Sequence, residues 1–379
     1  MPVRILHAHS TFSLGGKEAR AVRLMNAWGD AAHHTILSGM PDQLGARDAI
    51  APGIVVDFPQ DAPSLTGRFG LARLFRLARH MRDFDLVLTY NWGAFDAVMA
   101  KYLFRGPPLV HHEDGFNEDE ANGLKASRNL YRRLGLSGAH RLVVPSRRLE
   151  EIARIVWAQG QGRVTRIPNG IPLGRFGEAP EAEAIPGIRR HDGELIVGTV
   201  AGLRKVKNLP RLVRAFAAGV GDRPARLVIA GEGPDRDAIV AEASRLGIAD
   251  RLHLPGFLAD PARYIGSFDI FALSSDSEQF PISLVEAMAA GLPVASTAVG
   301  DVPHMVAAAN SEYIVPVDKE QELGAALARL AADPGLRRRL GHANRLKAQA
   351  EYDEAAMIRA YADLYGEAIG RPGAFPYQL

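Results

Sequence analysis

Residues 274–291 read Ser274-Ser275-Asp276-Ser277-Glu278-Gln279-Phe280-Pro281-Ile282-Ser283-Leu284-Val285-Glu286-Ala287-Met288-Ala289-Ala290-Gly291. The run just before them, residues 269–273, is short and apolar like a buried parallel strand, and Gly291 stands where a helix ends in a left-handed residue. A loop and then a helix are predicted between the two. Pro281 suits a first helical turn, and the residues after it are apolar almost all round, so the helix should be buried. Glu286 is the exception. A carboxylate on a buried helix is costly unless something hydrogen-bonds to it, so Glu286 needs a partner. Glu278, eight positions earlier, precedes the helix start, where free backbone N–H groups and the helix dipole favour an anion. The stretch therefore describes a phosphate seat between two carboxylates.

The chain around this seat has 379 residues, enough for two or three domains. Lys and Arg number 45 against 43 Asp and Glu, a net charge of +2 that argues against nucleic acid as a partner. Cysteine is absent, which excludes disulfides, thiolate catalysis and cysteine-based metal sites. Residues 1–7 enter a strand without the features of a signal peptide, and no apolar run is long enough to span a bilayer. The expectation is a cytoplasmic protein, with peripheral contact to the inner face of the cytoplasmic membrane left open.

From Val3 onward, β-rich runs alternate with helix-length amphipathic segments, the pattern of doubly wound parallel sheets. Strands are predicted at 3–9, 34–37, 54–58, 86–90, 108–112, 141–145 and 164–167, then at 194–201, 226–230, 252–254, 269–273, 293–297 and 313–316. Gly15 and Gly16 fall between the first strand and its helix, where glycines let a ligand approach the backbone; the Gly-x-Gly-x-x-Gly dinucleotide spacing is absent. His111, His112, Glu113 and Asp114 end a strand at the carboxyl edge of the sheet, where open α/β domains bind ligands. They sit too close together along one strand end to make a good metal site. Residues 117–120 suggest an acceptor-reading loop. Arg204, Lys205 and Lys207 crowd a strand-to-helix turn and repel one another unless an anion sits among them.

Two segments of the first half carry arginines and no acid. Residues 67–82 hold Arg73, Arg76 and Arg79 beside an apolar face, and residues 121–149 are likewise basic. Such segments suit an anionic membrane or an anionic acceptor, and equally a solvated outer helix. Residues 177–193 are rich in Ala, Pro, Glu and Gly without apolar periodicity, and read as a linker.

The string Glu-x7-Glu running into Ala-Met-Ala-x-Gly-x-Pro-Val closely resembles the signature of retaining, nucleotide-sugar-dependent glycosyltransferases of the GT-B fold, family 4. Gly15-Gly16-Lys17-Glu18, Pro168-Asn169-Gly170, Gly231-Glu232-Gly233-Pro234 and Pro255-Gly256-Phe257 are similar to further family strings, so the resemblance covers almost the whole chain. It implies two Rossmann-like domains facing across a cleft: an acceptor-binding domain over 1–180, a linker over 181–193, a donor-binding domain over 194–351, and a helix over 352–379 crossing back to the first domain.

By the same resemblance, Glu278 meets donor-sugar hydroxyls, the backbone of Phe280, Pro281, Ile282 and Ser283 holds the diphosphate, and Glu286 binds the ribose. Arg204 and Lys207 stabilise the leaving diphosphate, with Lys205 as a substitute for either; the Gly15-Gly16 loop reaches the phosphates; Gly256, Phe257 and Leu258 meet the base. The family places a histidine near the reacting sugar where this chain has Asp114, with His111 and His112 just before it, so Asp114 and His112 both stand as candidates. Gln279 replaces the family's usual glycine. The implied activity is metal-independent transfer of a sugar, with retention, from a UDP- or GDP-sugar to a saccharide or lipid-linked acceptor in bacterial envelope glycolipid or polysaccharide synthesis, without a further cofactor. A nucleotide-sugar epimerase or phosphorylase on the same fold, or a non-catalytic binding protein, are the alternatives.

Overall fold

The computed structural model describes the chain except residues 69, 117–119, 121–122 and 378–379, so most of the expected acceptor-reading loop lies outside the described residues. The chain forms two compact units, Met1–Asn169 with Ala355–Leu379, and Gly170–Glu354.

The first unit holds β1 (Val3–His9), α1 (Gly16–Trp28), β2 (Ala32–Ser38), β3 (Val56–Asp57), α2 (Leu71–Met81), β4 (Leu86–Tyr90), α3 (Phe95–Phe104), β5 (Leu109–His112), α4 (Ala126–Leu136), β6 (Arg141–Val144), α5 (Arg147–Ile155) and β7 (Val164–Arg166). Its parallel sheet runs β3-β2-β1-β4-β5-β6-β7. The order reverses direction between β1 and β4, which makes the loops after these two strands the sheet's switch point. Helices cover both faces, so a central strand such as β4 is buried along its whole length and shows no polar alternation.

The second unit holds α6 (Leu173–Phe176), β8 (Leu195–Val200), α7 (Leu209–Val220), β9 (Ala225–Ala230), α8 (Arg236–Arg245), β10 (Leu252–Gly256), β11 (Ile270–Leu273), α9 (Ile282–Ala289), β12 (Val294–Thr297), α10 (Val302–Met305), β13 (Ile314–Val315), α11 (Glu320–Ala332) and α12 (Pro334–Glu351). Its parallel sheet runs β10-β9-β8-β11-β12-β13, with the switch between β8 and β11. The last helix, α13 (Glu354–Ala368), packs in the first unit, where Met357, Tyr361 and Tyr365 share a core with Val3 and Trp28.

The unit boundaries differ from those expected. Residues 170–193 are neither the tail of the first unit nor a free linker: Ile171, Phe176 and Ile185 are buried in the core of the second. Glu181 and Arg263 form an ion pair at 2.6 Å that fastens the same stretch. Three apolar residues spaced this far apart create no periodicity, yet all three enter the same hydrophobic core. The return point falls at Ala355 instead of residue 352, because Tyr352 is buried in the second unit's core and Ile171 accepts from the Glu354 amide at 3.1 Å.

Two of the arginines expected to face lipid turn inward. Arg73 pairs with Asp96 and donates to the carbonyls of Ser64, Leu65, Gly67 and Arg68. Arg132, in the 121–149 segment, is buried between the rings of Trp92, Phe116 and Trp157 and makes two hydrogen bonds of 3.0 Å to Glu120. Both are used by the fold, since a buried guanidinium is tolerable only when its donors are taken up.

Candidate functional site

The donor-site candidates meet at the switch point of the second sheet. The turn after β8 carries Arg204, Lys205 and Lys207; the loop after β11 carries Glu278. The two loops are laced by backbone. The Asp276 amide donates to Val206 O at 2.8 Å, and the Ser274 hydroxyl lies 3.0 Å from the carbonyls of both Lys207 and Asn208. Arg211 adds a bond to Ser274 O at 2.9 Å and an ion pair with Asp276 at 2.7 Å. On this frame Lys207 pairs directly with Glu278, and the Ser275 hydroxyl donates to the same carboxylate at 2.7 Å. Arg204 opens the turn with its side chain exposed, as does Lys205.

Gly300, in the loop after β12, explains why a glycine stands there. It sits at φ +52°, and a Cβ would lie 2.2 Å from the Glu278 carbonyl oxygen. Gly231, after β9, is equally constrained at φ +149°, with a Cβ position 1.9 Å from Ala201 O. Close backbone approaches from β9 and β12 thus wedge the two switch-point loops in place.

Phe280, Ile282 and Ser283 lie half-buried at the start of α9 and Pro281 is buried there, as its N-cap. Glu286 is half-buried on the same helix, facing Tyr264. Burial raises the Tyr264 phenol well above its ordinary range, and the Glu286 charge raises it further. Its hydroxyl is buried with no hydrogen-bond partner. Tyr264 sits in a short irregular stretch before β11 and leaves no signal in the sequence. Gly256 ends β10 with its carbonyl taken by the Gly231 amide at 2.8 Å; Phe257 beyond it is 67% exposed and Leu258 packs partly into the core.

In the first unit, Gly15 caps α1 and Gly16 begins it, both exposed after β1. Asp114, beyond β5, is held by Arg20 through both oxygens, with the Nη2 bond at 2.8 Å. Its amide donates to Asn91 Oδ1 at 2.7 Å, and Arg20 also reaches Asn169 Oδ1 at 2.9 Å. Burial would raise the Asp114 carboxyl, but the Arg20 guanidinium outweighs it and holds it below its ordinary value. Arg20, 94 residues from Asp114 in the chain, was not legible as part of the site.

His112 is corrected by the structure. Its Nδ1 lies 3.1 Å from Thr89 O and must donate there, so Nε2 is the acceptor for the Tyr365 hydroxyl at 2.6 Å. Being 1% exposed, it ties α13 to the sheet and has no nitrogen left for a substrate. It belongs to a buried stack in which the Tyr90 ring lies between His9 and His112, at 4.0 and 4.7 Å, and His7 bridges Tyr90 and His34. Among the described residues no three His, Asp or Glu side chains converge as a metal would require.

Burial lowers His112 to about 3, with Arg20 adding to the shift, and lowers His34 to about 4. Both folded values lie below the unfolded 6.5, so the neutral forms stabilise the fold above that pH and the contribution is lost as pH falls toward the folded values. Going from pH 7 to pH 5 should cost ~2 kcal/mol for each imidazole. Urea titrations at the two pH values check this; an unchanged midpoint would mean the imidazoles are not held neutral.

Two shallow recesses open at the carboxyl edge of the first sheet. One, of about 350 Å³, is lined by Trp92, Tyr131, Arg73, Arg128 and Asp96; the other, of about 300 Å³, by Ser38, Phe58, Gln60, Ser64 and Thr66.

Comparison with known proteins agrees with this architecture. The family model described as Glycosyltransferase Family 4 matches residues 5–175, and that described as Glycosyl transferases group 1 matches residues 181–347. The N-acetyl-alpha-D-glucosaminyl L-malate synthase of Bacillus anthracis is 28% identical over 47% of this chain; the match spans about half that relative's length, 47%. The D-inositol 3-phosphate glycosyltransferase of Actinosynnema mirum is 29% identical over 70% of each chain. The crystal structure of Anabaena Alr3699/HepE in complex with UDP superposes with a TM-score of 0.79 at 19% identity, covering 96% of this chain and 100% of that one. With both sheets, both switch points and matches along nearly the whole chain in agreement, this protein belongs to glycosyltransferase family 4 and has the GT-B fold.

Proposed function

We propose that the protein transfers a sugar, with retention, from a UDP-sugar to a hydroxyl of a saccharide or lipid-linked acceptor of the bacterial envelope, without a metal. The observation that carries this reading is the Lys207–Glu278 pair, built on two laced loops at the switch point of the second sheet with Arg204 at the mouth of the same turn. Glu278 accepts from donor-sugar hydroxyls. Arg204, Lys207 and the amides from Phe280 to Ser283 meet the charge that develops on the diphosphate as the glycosyl bond breaks. Glu286 takes the ribose, and the segment Gly256 to Leu258 takes the base. In the first unit, the Gly15-Gly16 amides are assigned to the phosphates, and Asp114, whose side chain keeps 15% exposure, is the group for the reacting sugar in place of His112. The acceptor hydroxyl attacks from the face the diphosphate leaves; its proton passes to a phosphate oxygen as the sugar–phosphate bond breaks, so bonds and charge balance. Support for UDP comes from the Anabaena neighbour, described in complex with UDP and with UDP-glucose. Support for a saccharide acceptor comes from the recess lined by Trp92, Tyr131, Ser127, Arg128 and Asp96, which joins apolar ring edges to hydrogen-bonding groups.

A thermal-shift series with UDP, GDP and ADP in EDTA tests donor and metal together. UDP should stabilise the protein by about 2.7 kcal/mol at one hundred times its Kd, with the other two far behind. A shift that vanishes in EDTA, or a protein that responds to none of the three, would overturn the reading.

A further inference from the structure

Tyr264 lies in the irregular stretch between β10 and β11 and is 1% exposed. Its ring sits in the core of the second unit with Leu284, Val285 and Met288 of α9, and meets the Phe268 ring edge-on at 6.2 Å. A phenylalanine ring would make the same apolar contacts. Tyrosine adds a hydroxyl, and that hydroxyl is buried with no hydrogen-bond partner among the described residues. A buried phenol ordinarily finds a partner, because an unpaired polar group gives up its bonds to water for nothing in return.

Two carboxylates act on this phenol. After burial itself, the Glu286 charge and then the Asp260 charge hold it above its ordinary range. Asp260 is already paired with Arg175, which leaves Glu286 as the acceptor for the hydroxyl. The phenol cannot travel to meet it, because the Tyr264 backbone is fixed on both sides. Its amide donates to Pro261 O at 3.1 Å, and its carbonyl accepts from the Ser267 amide at 2.9 Å and the Ser267 hydroxyl at 2.7 Å. Any adjustment therefore falls to Glu286, half-buried on α9, whose side-chain torsions let the carboxylate turn while the helix stays in place. A carboxylate that accepts from two neighbouring ribose hydroxyls still has lone pairs for a third donor. Bonds to a charged acceptor are also the stronger kind.

We propose that Tyr264 is a positioning residue of the nucleotide site: when nucleotide is bound, its fixed hydroxyl donates to the Glu286 carboxylate beside it on α9 and holds that carboxylate toward the ribose. This role rests on the reading that Glu286 takes the ribose. It gives the hydroxyl an unusual signature, since the group is a burden to the free protein and contributes only when nucleotide is present.

The test is calorimetric titration of UDP and 2′-deoxy-UDP into the full chain, into Tyr264→Phe, into Glu286→Ala and into the double variant, beside the urea midpoint of each free protein. Tyr264→Phe keeps the ring and should unfold at the same urea concentration as the unaltered chain or a higher one. Its Kd for UDP should rise by about tenfold, the worth of one hydrogen bond to a charged group. Its preference for UDP over 2′-deoxy-UDP should shrink, because Glu286 is no longer held for the ribose hydroxyls. With Glu286→Ala already present, removing the phenol oxygen should change UDP affinity by less than about twofold. A merely structural hydroxyl would do the reverse, lowering the urea midpoint and leaving both affinities alone, and that result would overturn the assignment, as would additive losses in the two single variants. Normal UDP binding by Tyr264→Phe beside weakened binding by Glu286→Ala would overturn it while sparing the ribose reading. Unaltered UDP binding by Glu286→Ala would remove the ribose reading and the role of Tyr264 with it.

Discussion

Lys207→Ala is expected to lower sugar transfer by about two to three orders of magnitude while the second unit stays folded, the loss seen when one charge-stabilising donor is removed from a transition state. The fold should survive because the loop is held by its backbone. The bonds from Asp276 N to Val206 O, from Ser274 Oγ to Lys207 O and from Arg211 to Ser274 O all remain in the variant. Glu278 keeps its bond from Ser275 and partial contact with water, its side chain being 10% exposed, so the stability loss should stay near ~1–2 kcal/mol. Lys207→Arg keeps the charge but replaces a compact ammonium by a planar fork, and should recover part of the rate. Steady-state transfer measured beside the unfolding midpoint decides the matter. Near-normal transfer in well-folded Lys207→Ala protein would remove Lys207 from the site and leave its pairing with Glu278 a structural one.

Much of this site was legible because it is local. The Glu278 to Gly291 stretch spells its own strand-end, loop and helix, and the crowded cations Arg204, Lys205 and Lys207 call for a nearby anion, which Lys207 finds in Glu278. The strands were legible for a related reason: covered on both faces, they read as unbroken apolar runs bounded by glycine and proline. That double cover also explains the error at His112. A strand in such a sheet has no solvent face, so His111 and His112 are both buried, although the end of β5 is where a ligand group would be sought. Other members were hidden by distance. Arg20 meets Asp114 across 94 positions and Asn169 across 149, and Tyr264 reaches Glu286 from an irregular stretch. The misread linker failed on composition, since Ile185 and Ile188 among prolines, glutamates and arginines give no sustained period yet still pack against a core.

Arg20→Ala should destabilise the first unit by ~3–5 kcal/mol, because it leaves a largely buried carboxylate without its counter-ion. Arg20 is the hub of three connections: Asp114 through both oxygens, Asn169 at the end of the unit, and the Tyr361 ring of α13 at 5.6 Å. In the unaltered chain the Asp114 carboxyl titrates below its unfolded 3.8, so its share of stability is present above that pH and is lost only as pH falls through the folded value. Removing Arg20 should reverse the sign. Burial would then carry the Asp114 carboxyl above 3.8, making the acid the favoured form and the deficit largest at neutral pH. Stability against pH therefore distinguishes a lost ion pair from lost packing, which would lower the curve evenly. The double variant Arg20→Met/Asp114→Asn should regain part of the loss, since neither partner then needs compensation. Asp114→Asn alone keeps the side chain's shape and an oxygen for Arg20, but it leaves that buried guanidinium without its counter-ion and should itself cost stability. If Asp114 contacts the reacting sugar, that variant and the Arg20→Met/Asp114→Asn pair should both lose more transfer than their stability would account for when assayed well below their unfolding midpoints; transfer that follows stability alone would confine Asp114 to holding α1 and the end of the first unit in register.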